Sequence, residues 1–438
     1  VSSYTKLALC ALAAVALASA QTQKKYDQAE YNLLTEAAKS LSAGNFAKAI
    51  TDLDTWKAKY PKSDLAPNRL AFYVQAYAGS KQHDKAVEAA GELLSGDIDA
   101  AVGDAGSVVR VLFGAVLSAQ QIPAPTAAQL EVAQKAAKLL GSYEKKPDGV
   151  PDATWAQARA QMRTTSAAAL IWVSLAPGLQ AMSRKDCAAA ETIYAKALAE
   201  HPDSAQAAWS LGTAQRCLYP KQPEKASAAL YAFARAAVVD PVKGVADPKW
   251  QKGTVEPYVR QFYNRYHGED AEGLKQLLAA AAQSPTPPAG FHIQSLTEIA
   301  EEKEKKFAQS NPQLALWMKV KGALAASEGE AYFASSLKDA AVPQLRGVLL
   351  EAKPACRPKE LLVIVPMPDA PRPTEAEILL KLDKPIAGKP APGTEFQWQG
   401  VPTAFTAQPF LLTMDTESAK LDGIKGAPCG VAPVRKKR

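Results

Sequence analysis

The residues able to do chemistry are few and scattered. The 438-residue chain holds four histidines, His83, His201, His267 and His292, and five cysteines, Cys10, Cys187, Cys217, Cys356 and Cys429. A zinc protease places two histidines four apart on one helix face with a glutamate beside the first, and no H-E-x-x-H is present. No C-x-x-C occurs and no histidine lies close in sequence to a cysteine, so metal-ligand spacing is absent as well. The nucleophile elbow G-x-S-x-G and the phosphate-cradling glycine loops are also missing. His201 precedes Pro202 at a helix end, where a polar or cationic group suits the dipole. Glu301, Glu302 and Glu304 alternate with Lys303, Lys305 and Lys306, which is the pattern of a solvated helix face rather than of an acid–base pair. These residues predict no metal, no cofactor and no catalytic activity.

The cysteines carry a different message. Lys6 is followed by the apolar run LALCALAAVALASA and by Ala18-Ser19-Ala20 ahead of Gln21, the pattern of a secretory leader over residues 1–20. Cys10 stands near the start of that run, not at its end, so it reads as part of the leader. The remaining four are an even set, which in an exported chain predicts disulfides, with three pairings open. The reading is an exported protein, periplasmic or extracellular. No later run approaches the roughly 20 apolar residues of a bilayer span, so no transmembrane segment is expected. Net charge is +7, and four of the positive charges are the tail Arg435, Lys436, Lys437 and Arg438. The rest is spread too thinly for a nucleic-acid surface, while the tail offers weak contact to an anionic surface.

The elements that must position these residues are mostly helices. A 47% hydrophobic share with 22% charged excludes a disordered chain, and the dominance of alanine favours close helix packing. Helix ends of the form Ala-x-x-x-(Tyr/Phe)-x-x-Ala-x-x-x-x-Pro recur: Ala190, Tyr194, Ala197, Pro202, then Ala229, Phe233, Ala236, Pro241. Ala208 and Leu211-Gly212 lie between them. Earlier, Phe46, Ala49, Leu53 and Pro61 form a similar set, followed by Leu70, Tyr77, Ala86 and Leu93. The stretches VVRVLFGAVLSAQQ and AAQLEVAQKAAKLLGSY read as amphipathic helices, and residues 153–183 as one long apolar helix or two broken at Pro177-Gly178. Past residue 338 short apolar runs alternate with Pro/Gly turns: QLRGVLLEA, ELLVIVPM, EAEILLKL, TEFQWQGV and FLLTMD. Those have the length of strands.

The alanine, aromatic and proline pattern resembles the tetratricopeptide repeat, a helix-turn-helix unit that stacks into a solenoid. The chain is similar to an exported bacterial member carrying a C-terminal β domain. The resemblance implies a mainly α fold: a leader (1–20), a tetratricopeptide-like α-solenoid (21–241), a helical extension (242–337), a small antiparallel β barrel or sandwich (338–434) and a basic tail (435–438). It implies a concave groove carrying Tyr31, Asn68, Gln75, Trp172, Gln206, Trp209 and Arg216, with Leu34 and Met182 nearby. It also implies which cysteines pair. Cys187 would open the second helix of one repeat and Cys217 close the first helix of the next, leaving Cys356 with Cys429 around the β domain. The function so implied is a non-catalytic scaffold that holds a peptide or helix of another envelope protein. The alternative is an accessory to cell-wall or polysaccharide handling, with Phe396, Trp398, Phe405 and Phe410 of the β domain stacking on sugar.

Overall fold

The computed structural model describes residues 27–368 and 371–429, so the leader, Cys10 and the basic tail lie outside the described residues. The chain is mainly helical, with a small β domain at its C-terminal end. It divides into two compact units, residues 1–295 and 296–438.

In the first unit, consecutive helices pack on one another. They are α1 (Gln28–Ser42), α2 (Phe46–Lys59), α3 (Ala66–Gly79), α4 (His83–Leu94), the short α5 (Ile98–Val102), α6 (Ala105–Ala119), α7 (Ala127–Ser142), α8 (Asp152–Ser183), α9 (Cys187–Glu200), α10 (Ala205–Leu218) and α11 (Lys225–Val238). Three of the turns between them are the same turn. Gly44, Lys81 and Lys185 hold left-handed φ angles of 70°, 62° and 61°. Each is followed by a cap residue of nearly one conformation: Asn45 at φ −88°, ψ 71°, Gln82 at −89°, 64°, and Asp186 at −88°, 75°. The cap N–H reaches back five residues in every case, Asn45 to Ser40 O at 2.9 Å, Gln82 to Tyr77 O at 2.8 Å and Asp186 to Ala181 O at 2.9 Å. This satisfies carbonyls that the helix end would otherwise leave orphaned. The following helix ends also match. Tyr60 and His201 sit at φ −129° with ψ 67° and 68°, each donating its N–H four residues back and each preceding a proline. A residue before proline is driven out of the helical region, which stops the helix there.

Small residues set the spacing. The ring of Tyr194 on α9 lies where a Cβ on Gly178 of α8 would come within 2.3 Å, and the ring of Phe233 on α11 lies 2.8 Å from a Cβ on Gly212 of α10. Gly178 therefore does in α8 what Gly212 does in α10, and Pro177-Gly178 is no break: α8 runs unbroken through both. By length and composition α8 is apolar enough to cross a membrane, at a mean hydropathy of 1.2, contrary to the expectation that no later segment would be. Its Trp155, Met162, Ala169 and Leu175 are buried against neighbouring helices, and Ser166 Oγ donates to Ala137 O at 2.7 Å. Cys187, the first residue of α9, pairs with Cys217 in the last turn of α10, Cα atoms 6.1 Å apart. After α11, α12 (Glu256–Tyr266) and α13 (Ala271–Gln283) both pack on α11. Arg235 of α11 is 6% exposed and donates to Ala281 O, Ala282 O, Pro202 O and Asp203 Oδ1, tying α13 to the loop before α10.

The second unit starts earlier than the change in composition. Helices α14 (Leu296–Ser310) and α15 (Pro312–Ala325) belong to it, and Trp317, Val320 and Leu324 of α15 join the core of the sheet. The extension over 242–337 is thus shared between the two units. Strands β1 (Val342–Lys353), β2 (Glu360–Ile364), β3 (Ile378–Leu382), β5 (Glu395–Ala407) and β6 (Phe410–Thr416) close in the order β1-β2-β3-β6-β5, and β4 (Lys389–Pro390) pairs separately with β7 (Gly426–Ala427). Every pair in the closed sheet is antiparallel except β3 with β6, which run parallel, Ile378 opposite Leu412 and Leu382 opposite Thr416. The all-antiparallel expectation fails at this seam because the β5–β6 hairpin brings β6 back beside β3 in β3's own direction. Leu361, Val363, Ile378, Leu380, Trp398 and Met414 fill the interior. Cys356 pairs with Cys429 at a Cα separation of 5.9 Å. Two cysteine pairs at disulfide distance fit an oxidising compartment.

Candidate functional site

Two of the groove residues meet on a third residue, which lies in the helical extension beyond the expected solenoid. Trp209 and Arg216 lie two turns apart on α10, hence on one face. Tyr258 of α12 stands against both. Its ring is edge-on to Trp209 at 5.1 Å, the Arg216 guanidinium lies 5.5 Å from its centroid, and Arg216 Nη1 donates to its hydroxyl. Trp209 also meets Phe233 at 4.9 Å and Trp250 at 5.7 Å, and Phe262 stands 6.1 Å from Phe233. Edge-to-face pairs of this kind add to their area burial, and a guanidinium on a tyrosine face gains from the ring quadrupole. Burial pushes the Tyr258 hydroxyl above its usual pKa, against the pull of Arg216 and Arg265. Trp209, Trp250, Tyr258 and Phe262 are half-buried, so one side of the cluster faces solvent. Gln206, one turn before Trp209, is exposed. Lys252, Arg260 and Arg265 are exposed on and beside α12, which makes the surroundings cationic, with Glu256 opposing them. The signal for Tyr258 was in the sequence as the aromatic density of YVRQFYNRY, but nothing local in it names α10 as its partner.

The other groove candidates have separate surroundings. Tyr31 is exposed on α1. Asn68 Nδ2 donates to Val102 O at 2.9 Å and Gln75 Nε2 to Ala71 O on its own helix at 3.3 Å. Trp172 is half-buried beside a cluster of Val87, Ala119, Ile122 and Ala133. Asn68 and Trp172 are thus engaged in packing or bonding their own unit.

One contact has the outline of a nucleophile and base. Ser174 Oγ lies 3.2 Å from His201 Nε2 and donates to Glu200 Oε2 at 3.2 Å. The hydroxyl has one proton, and the Glu200 carboxylate, which only accepts, competes with the imidazole for it. Among the described residues no group of three His, Cys, Asp or Glu is placed to hold a metal ion.

In the β domain, Phe396 and Trp398 are 2% and 0% exposed and belong to the interior. Phe410 is edge-on to Trp317 at 6.0 Å and Phe405 packs on Phe333 at 5.0 Å. The four aromatics do not form an exposed stacking platform. No family model matches the chain, and a search of curated proteins finds no match.

Proposed function

We propose that this is a tetratricopeptide-like solenoid protein of the cell envelope that holds a peptide or helix of another protein against the Trp209–Arg216–Tyr258 cluster. The repeat reading is supported by three turns of one geometry, two proline-stopped helix ends of one geometry, and the Gly178–Tyr194 contact repeated at Gly212–Phe233. The observation that carries the binding reading is a half-buried aromatic cluster capped by an exposed arginine in a cationic setting. Aromatic and arginine side chains at the wet edge of a packed cluster are those that anchor partners. The cationic rim favours a segment carrying carboxylates. The two cysteine pairs favour an exported location, and the leader-like sequence of residues 1–20 supports the periplasm or the outside of the cell. A glycan-binding role for the β domain lacks comparable support, since Phe396 and Trp398 are interior.

Capture from envelope extract tests the reading. Arg216→Glu and Tyr258→Ala should each deplete the partner at least tenfold, while Tyr31→Ala should leave it unchanged. Equal capture by all three variants would sink it.

A further inference from the structure

We infer that the partner segment is amphipathic, with an apolar side chain seated on Leu179 of α8 and an acidic one held between Arg216 of α10 and Arg265 of α12. This rests on the Trp209–Arg216–Tyr258 cluster being a binding surface and says what that surface selects. Leu179 is a large apolar side chain left 51% exposed. Its place follows from the repeated glycine contact. Gly178 meets Tyr194 as Gly212 meets Phe233, so Leu179 stands on α8 where Thr213 stands on α10. By the same match Leu175 answers to Trp209 and Met182 to Arg216. Leu175, Met182 and Trp209 join one apolar cluster, which sets that side of α8 against α10. Leu179 lies beside this seam on the solvent side, and half-buried Trp172, two turns earlier, shares its face. The matching face of α10 carries Gln206 and Thr213. The surface therefore changes from apolar on α8 to polar on α10, and then to cationic at Arg216.

The cationic end is built for an anion. Arg216 Nη1 donates to the Tyr258 hydroxyl, which leaves the phenol proton free to donate in turn. Arg265 follows Tyr258 by seven residues, hence on the same face of α12, and it too acts on that hydroxyl. Both arginines are exposed, and neither is in an ion pair among the described residues. Glu256 comes two residues before Tyr258 and so falls on another face. One carboxylate can accept from both guanidinium groups and from the phenol. An all-acidic segment would set charge against Leu179 and Trp172, and an all-apolar one would cover two arginines without partners. Neighbouring helices lie about 8–10 Å apart and an extended chain rises about 3.3 Å per residue, so one to two helix steps place the apolar and acidic residues about three to five positions apart.

Selection of a random peptide library displayed on phage against the immobilised full chain tests this. Enriched peptides should carry an apolar residue at that spacing from an Asp or Glu. Leu179→Glu should weaken them about tenfold, as should exchange of the peptide's apolar residue for Ser. Arg265→Glu should weaken them at least tenfold, as should exchange of the peptide's acid for its amide. Both substituted side chains are exposed, so the variants keep the fold. Peptides lost with Tyr258→Ala yet indifferent to Leu179→Glu or to Arg265→Glu would overturn the inference and leave the cluster standing as a binding surface. Peptides that bind Tyr258→Ala undiminished, or no enrichment at all, would overturn both.

Discussion

The helices of the first unit pack mostly on near neighbours in sequence, whereas closing the sheet of the second joins strands far apart in the chain, β1 with β5 and β3 with β6. Tyr194 settles on Gly178 one helix back and Phe233 on Gly212 one helix back. Leu345 must find Trp398, and Ile378 must find Leu412. The cysteine pairs follow the same division, 30 residues apart in the helical unit and 73 apart in the β unit. A stack of neighbour contacts loses stability piece by piece, while a closed sheet is lost as a whole. The same difference explains where a binding surface can sit. Helix pairs can leave one side of an aromatic cluster wet, as at Trp209 and Tyr258; closing the sheet drives Phe396 and Trp398 inside.

The largest effect expected is therefore in the sheet. Trp398→Ala removes a fully buried ring and should cost about 3–5 kcal/mol, abolishing protection from hydrogen exchange in all five barrel strands together. Tyr194→Ala, at a similar cost, should expose α8, α9 and α10 while α1 to α4 keep their protection. Loss of protection across the whole helical unit would erase the contrast.

Next come the glycines. Gly178→Val and Gly212→Val should each destabilise by about 1–3 kcal/mol through overpacking against an aromatic ring. Similar values for the two would support their equivalence in successive helix pairs, and a neutral Gly178→Val in thermal melts would break it.

The repeated turn makes a finer test. Lys185 holds a φ of 61°, which costs a side-chain-bearing residue roughly 1 kcal/mol. Lys185→Gly should stabilise by about that amount, and Gly44→Ala should destabilise by about as much. Opposite signs in denaturant titrations are predicted; the same sign at both positions would contradict a shared turn.

The smallest effect is confined to alkaline solution. Burial pushes the Tyr194 hydroxyl up to about 12. A raised folded value means that the contribution is fully present below the unfolded pKa of about 10 and is lost as pH rises towards the folded value. Tyr194→Phe should therefore narrow the gap in melting temperature between pH 8 and pH 11. An unchanged gap would show that other tyrosines, such as Tyr73 with its hydroxyl on Asp54 Oδ1 at 2.6 Å, set the alkaline limit.

Much of the fold could be read from local signals. Pro61 and Pro202 mark helix ends, Gly44-Asn45 marks a turn, and the five apolar runs after residue 338 became β1, β2, β3, β5 and β6. Local signals do not name partners. Nothing in EILLKL and FLLTMD says that they lie side by side in parallel, and nothing in LALWMKVKGAL says that Trp317 belongs to the sheet's core. The Asp97 carboxylate caps the short α5, accepting the Asp99 and Ala100 N–H groups, a start that the surrounding polar residues do not announce. The candidate site was half legible for the same reason. Trp209 and Arg216 share a helix, so their spacing shows; Tyr258 joins them only through packing of α12 across α11.

The Trp209–Arg216–Tyr258 cluster is the surface proposed to receive a partner. A photo-crosslinking amino acid placed at exposed Gln206, beside the cluster, tests it most directly in cells producing the protein. A discrete crosslinked protein is expected from position 206 that disappears when Tyr258→Ala is added, and none from exposed Glu88 on α4. Equal crosslinking from both positions, or a product from position 206 that survives Tyr258→Ala, would contradict it.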